Sequence, residues 1–97
     1  MSVYLLAKIN IHDRKTYGKY ESGFLKVFAK FNGSLLTVAE DPEVLEGSWP
    51  VTRTVLIEFP TKEEALQWYQ SAEYQLLMQY RLDASSADVV LLGGLPS

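Results

Sequence analysis

His12, Glu46 and Arg53 are the side chains of this 97-residue sequence best placed to move a proton or hold an anion. His12 is the only histidine and stands immediately before Asp13, where a strand would pass into a helix. An imidazole at such a junction suits a general base at a pocket rim. A solvated loop histidine is the simpler reading of the same position. With one histidine and no cysteine the chain cannot use a thiol nucleophile or build a multi-histidine zinc site, a disulfide or a thiolate cluster. Glu40, Asp41, Glu43 and Glu46 crowd one segment, but they lack the register of a calcium loop. They read as a solvated acidic loop, and no metal is expected. Glu46 lies seven residues before Arg53. An ion pair between them would hold the loop down and set a carboxylate beside a guanidinium; loop anchoring is the favoured role, with ligand binding or catalysis as the alternative.

The aromatic residues supply a second constellation. Trp68 reads as core, as aromatic side chains at helical spacing usually do. Tyr17, Tyr20 and Tyr74 are different, because a buried phenol needs a partner for its hydroxyl. Converging with Arg53, they would line a small polar-tipped pocket. The expected site is Tyr17, Tyr20, Glu46, Trp49, Arg53 and Tyr74, between a sheet and its helices, with a preference for a small anionic or aromatic ligand. The weak candidates for catalysis are His12 and Glu46. The sequence holds no phosphate-cradling glycine loop, haem-attachment motif or nucleophile elbow, so no cofactor is expected.

The elements that must position these residues follow from periodicity. Val3, Leu5, Ala7, Ile9 and Ile11 alternate with Tyr4, Leu6, Lys8 and Asn10, which predicts a two-faced strand over residues 3 to 11. Asp13 can cap a helix over 13 to 31, whose Tyr17, Tyr20, Phe24, Val27, Phe28 and Phe31 recur at three- and four-residue steps. Asn32 and Gly33 tolerate positive φ and should end it. Residues 34 to 39 read as a second strand, 40 to 51 as a loop, and 52 to 59 as a third strand that carries Arg53, Val55, Ile57 and Phe59 on one face. Pro60 ends that strand. Thr61 with Glu64 forms a capping box for a helix that buries Ala65, Trp68 and Tyr69. Ser71 restarts a short helix to about 81, with Tyr74, Leu77 and Met78 inward, and residues 87 to 92 make a last strand, apolar on both faces.

The β-α-β-β-α-β order predicts an α+β, ferredoxin-like sheet with its helices on one face. Tyr4, Leu6 and the 89–92 run leave the other face apolar without cover. Strands apolar on both sides ordinarily have both faces buried, so a second copy is expected to cover it and make a dimeric α+β barrel. Residues 1–97 have the length and the 47% hydrophobic content of one domain, and a domain this small gains from a partner subunit. A net charge of −3 without a basic patch argues against nucleic acid. Neither a signal peptide nor a membrane span is read, and the absence of cysteine suits a reducing cytoplasm.

The chain resembles the domain of unknown function 1330 family from about residue 4 to 94. Tyr17 and Tyr20 match a Tyr-x-x-Tyr helix, Gly33 a turn, and Glu46, Gly47 and Trp49 a Glu-Gly-x-Trp loop. Phe59 and Pro60 match a strand end, Trp68, Tyr69, Ser71 and Tyr74 a Trp-Tyr-x-Ser-x-x-Tyr helix, and Arg81 an arginine beyond it. Many members carry Arg-Gly-Gly where this chain has Val38-Ala39-Glu40, so if that arginine binds an anion in the family, this chain has either lost the role or moved it elsewhere, Arg53 being the candidate. The wider superfamily implied by the resemblance includes cofactor-free monooxygenases, lactone isomerases, haem-degrading enzymes and small-molecule binders. Two functions are therefore expected to compete: a homodimeric binder of an aromatic or carboxylate metabolite, and a cofactor-independent enzyme performing proton transfer or oxygenation on one.

Overall fold

The alternation on the first strand decides the architecture. In the computed structural model, which describes residues 1–96, β1 (Val3–Ile11) pairs antiparallel with β3 (Arg53–Phe59) on one side and β4 (Ser85–Gly93) on the other. β2 (Ser34–Ala39) joins the outer edge of β3, giving the sheet order β2-β3-β1-β4 of a ferredoxin-like α+β fold. Leu5, Ala7, Ile9, Ile57 and Phe59 are buried on one face, beneath the helices. The register sets Tyr4 opposite Glu58, Leu6 opposite Leu56 and Lys8 opposite Thr54 on the other.

Three helices cover the first face: α1 (Arg14–Phe28), α2 (Lys62–Tyr69) and α3 (Ala72–Ala84). All three have the caps expected. Asp13 accepts from the Thr16 N–H at 3.2 Å and Ser71 Oγ from the Tyr74 N–H at 3.2 Å, each satisfying a free amide of a first turn. Thr61 Oγ1 accepts from the Glu64 N–H, but the Glu64 carboxylate takes the Thr61 hydroxyl and the Asn32 amide instead of closing a reciprocal box. The α1 helix stops at Phe28, short of residue 31, because Lys30 and Phe31 donate three residues back, to Val27 and Phe28. α3 runs to Ala84, past residue 81, and the Ala84 carbonyl accepts from the backbone of both His12 and Asp13.

Gly33 corrects the sequence reading. Among the described residues the positive φ belongs to Gly47, at 78°, and Gly33 is required for space. A Cβ there would lie 2.5 Å from Phe28 Cζ and 2.7 Å from Phe59 Cζ, closer than carbon atoms approach.

The core is a run of aromatic rings. Tyr17, Tyr20, Phe24 and Phe28 follow one stripe of α1, with successive centroids 5.4, 5.8 and 5.1 Å apart. Trp68 receives that stripe, edge-on to Phe28 at 5.6 Å, stacked on Phe59 at 5.6 Å and 4.3 Å from Tyr74. Large offset and edge-to-face contacts of this kind carry much of a small core. Trp68→Ala should therefore cost about 3–5 kcal/mol, read as a fall in the denaturant midpoint at unchanged slope; a loss below about 1 kcal/mol would contradict this packing.

Candidate functional site

Packing around the aromatic stripe is incomplete at its centre, where a cavity of about 240 Å³ lies between the sheet, α1 and α3. Leu5, Ala7, Ile9, Val55 and Ile57 form its floor, and Tyr17, Tyr20, Phe24, Tyr74 and Trp68 its walls. Two arginines enter this apolar space. Arg53 arrives from β3, whose alternation forces its side chain to the helix side with Val55 and Ile57. Arg81 arrives from α3, seven residues after Tyr74 and so on the same face of that helix.

The two cations are treated differently. Arg53 Nη1 lies 3.2 Å from Glu21 Oε2 and 3.7 Å from Glu40 Oε1, and Glu40 also takes Arg14 at 2.7 Å. This chain of charges joins β3, α1 and the end of β2 beside the cavity. The Arg53 guanidinium stands 5.6 Å from the centre of the Tyr17 ring, and its Nε is buried with no acceptor. Arg81 is only 4% exposed, yet no carboxylate of the described residues forms an ion pair with it. Its guanidinium sits 5.9 Å from the Tyr20 ring centre. Burial pulls its pKa down and the neighbouring Tyr74 and Tyr20, with a hydrogen bond to Tyr74, raise it on balance; a guanidinium is protonated throughout the physiological range in any case.

The tyrosine hydroxyls form the remaining polar tip. Tyr20 and Tyr74 share a hydrogen bond of 2.8 Å inside the core. Burial first, and then the neighbouring Tyr74 phenol, push the Tyr20 pKa well above its ordinary value. Tyr17 is raised by burial, with Arg53 opposing. These are neutral O–H groups at physiological pH, able to donate to an oxygen.

Four of the six expected site residues, Tyr17, Tyr20, Arg53 and Tyr74, line the cavity together. The other two do not. Trp49 lies on the opposite face of the sheet, where its Nε1–H donates to Thr54 Oγ1 at 2.9 Å and Lys8 Nζ sits 4.4 Å from its ring centre. Glu46 is exposed in the same loop, and the expected Glu46–Arg53 pair is replaced by Glu21 and Glu40. The reason is the path of the loop: with Gly47 in the left-handed region, it carries Trp49 across the far face, away from the side to which Arg53 points. His12 is exposed at the β1–α1 junction, outside the cavity lining. Glu21, Tyr69 and Arg81 are lining residues that the expected site lacked. Spacing held the signal for two of them, since Glu21 follows Tyr17 by one turn and Arg81 continues the Tyr74–Met78 stripe.

A ferredoxin-like α+β sheet enclosing a tyrosine- and arginine-tipped cavity is the class of protein these features define. The chain belongs to the family described as domain of unknown function (DUF1330), whose profile matches residues 2–95. A protein of unknown function from Rhodopseudomonas palustris is similar over 99% of this chain and 84% of its own, with a TM-score of 0.79 and 14% identity. SnoaB, a cofactor-independent oxygenase from Streptomyces nogalater, is similar over 99% of this chain and 95% of its own, at TM-score 0.65 and 13% identity. A dimeric protein of unknown function and ferredoxin-like fold from Bacteroides fragilis is similar over 93% of each chain, at TM-score 0.68 and 11% identity. At these identities the likeness is one of fold. No curated protein matches the sequence. Among the described residues no helix is long and apolar enough to cross a membrane.

The raised tyrosines give the fold an alkaline limit. A phenol whose pKa is raised by folding stabilises the native state fully below its unfolded value of 10.0, and that contribution is lost as pH climbs through the folded value. Denaturant midpoints should hold to about pH 10 and then fall, and Tyr20→Phe should flatten the fall. Urea melts of both proteins from about pH 8 to about pH 11 test this; equal slopes would refute it.

Proposed function

We propose that the protein binds a small aromatic or carboxylate-bearing metabolite in the cavity, the anion meeting Arg53 and Arg81 and the ring lying among Tyr17, Tyr20 and Tyr74. The observation that carries this reading is Arg81, an arginine almost wholly withdrawn from water with no ion-paired carboxylate among the described residues. A buried charge without a counter-charge is costly, and a ligand anion offsets that cost in the bound state. The size is appropriate. An apolar cavity of about 150 Å³ accepts benzene, so about 240 Å³ accommodates a ring with a substituent.

Arg81→Met separates binding from structure. The substitution replaces an unpaired buried charge with an apolar side chain of similar reach, so the unliganded protein should melt at an equal or higher temperature. Calorimetric binding of benzoate should be lost. Destabilisation together with unchanged affinity would make Arg81 a structural residue and defeat the proposal.

The competing reading is a cofactor-independent enzyme, and it draws on the similarity in fold to an oxygenase of that type. His12 and Glu46, the expected bases, lie outside the cavity lining, which favours binding over proton transfer. Turnover of a bound aromatic acid in air, absent from the Arg81→Met protein, would reverse that preference.

We also propose that the working unit is a homodimer joined through the uncovered sheet face, as a dimeric α+β barrel. Val90 and Leu92 stand 48% and 47% exposed on the opposite face from the helices, beside Leu6 and Leu56. Similar folds from Bacteroides fragilis and Thermobifida fusca are described as dimeric. A stable interface would bury at least about 1,200 Å² in total. Light scattering should give a dimer at micromolar concentration, and Leu6→Asp should dissociate or unfold it. A wild-type monomer of 11.0 kDa would end the proposal.

A further inference from the structure

The cavity is open on one side. Of the residues that line it, the exposed ones are Glu21 and Leu25 on α1 and Leu35 and Val38 on β2, while every other lining residue is buried or half-buried. The opening therefore lies between α1 and β2. Glu21 and Leu25 are about one turn apart and share a face of the helix. Leu35 and Val38 are three apart on a strand, a spacing that regular alternation would send to opposite faces. Yet Leu35 stands opposite Ile57 and Val38 opposite Val55, alternate residues of β3 that both line the cavity. The register shift between Leu35 and Thr37 resets the alternation and brings Val38 to the same rim as Leu35.

Three of the four rim residues are aliphatic, with Leu25 65%, Leu35 39% and Val38 38% exposed. Single exposed leucines need no explanation, but these three converge on the mouth of one cavity. Charge decides which end of a ligand they meet. Arg53 is already paired with the rim residue Glu21 and with Glu40, so a ligand carboxylate arriving there would face two others. Arg81, almost wholly buried beside the Tyr20 ring, forms no ion pair with a carboxylate of the described residues. An acid group is thus favoured inside and disfavoured at the rim, where apolar carbon is the matching chemistry.

We infer that the ligand is an aromatic acid carrying an aliphatic chain, its carboxylate held inside with Arg81 and its chain leaving between α1 and β2 over Leu25, Leu35 and Val38. This rests on the binding reading above and names the class of metabolite within it, an amphipathic acid longer than the cavity alone. The chain covers carbon that water otherwise touches on both partners, so each methylene that reaches the rim adds affinity.

Benzoate, 4-propylbenzoate and 4-hexylbenzoate are the probes, titrated calorimetrically into the wild type, Leu25→Gln and Val38→Thr, both substitutions falling at exposed positions that the fold should tolerate. Full burial of a methylene is worth about fourfold in affinity, and a half-open rim should return roughly twofold for each. In the wild type 4-hexylbenzoate should therefore bind on the order of fiftyfold more tightly than benzoate, and each substitution should cut that ratio by at least about threefold. A second measurement needs no variant. In the carbon–proton spectrum of the wild type, the Leu25, Leu35 and Val38 methyl signals should move further with 4-hexylbenzoate than with benzoate. Equal affinities for the three acids, a ratio that both substitutions leave intact, or methyl signals indifferent to the longer acid would overturn the inference and leave the binding reading standing. Light scattering on Leu25→Gln covers the other occupant: dissociation of a wild-type dimer would assign the rim to a second copy and overturn the inference as well. Failure of every acid to bind at millimolar concentration would overturn both.

Discussion

One antiparallel pairing, β1 against β3, divides this molecule into two sides with different tasks. Because successive residues of a strand point to opposite faces, the same nine residues of β1 supply Leu5, Ala7 and Ile9 to the helix side and Tyr4, Leu6 and Lys8 to the other. A slip of one residue would exchange the two sets and turn Arg53 out of the cavity. Register is therefore the condition on which the aromatic core, the two arginines and the uncovered face all depend. Beside the start of β3 it is held by Thr52, which bridges the Ile9 carbonyl and the Ile11 N–H, while the Gly94 N–H, donating to the Ser2 carbonyl, extends the pairing of β1 with β4.

Much of this was legible in the sequence, and for definable reasons. Strand alternation and helix capping are local, so the order of elements, the caps at Asp13, Thr61 and Ser71 and the inward face of β3 follow from neighbours in the chain. Tyr17, Tyr20, Tyr74 and Arg53 could be placed together because each lies on a periodic element whose inner face is defined by its apolar companions. Trp49 and Glu46 could not. They belong to an aperiodic loop, and a loop's path is set by the surfaces it lands on, here the Lys8 side chain and the Thr54 hydroxyl. Arg81 was visible as a matched residue but silent about its role, since only tertiary packing reveals whether an arginine at a helix end is buried or extends to water.

Charge around the cavity is unevenly shared. Glu21 and Glu40 both approach Arg53, and Glu40 is itself divided between Arg53 and Arg14. These glutamates are themselves well exposed, so solvent screens the pairing and its energetic worth is small. Arg81, more deeply set, has phenols for neighbours. The less screened of the two cations is therefore the one beside the tyrosines, where low-dielectric surroundings strengthen its field.

The irregularity in β2 has a bearing on the behaviour of the chain in concentrated solution. Its residues, Ser34–Ala39, form an outer strand whose free backbone groups would template pairing with any extended segment that met them. Between Leu35 and Thr37 the pairing with β3 shifts by one residue, so Leu36 is supernumerary and the strand must bend and twist there. A bent edge cannot lie flat along another. The extra residue thus works as a guard against runaway edge-to-edge polymerisation, and a deletion that straightened the strand would be expected to trade a locally better ladder for fibres.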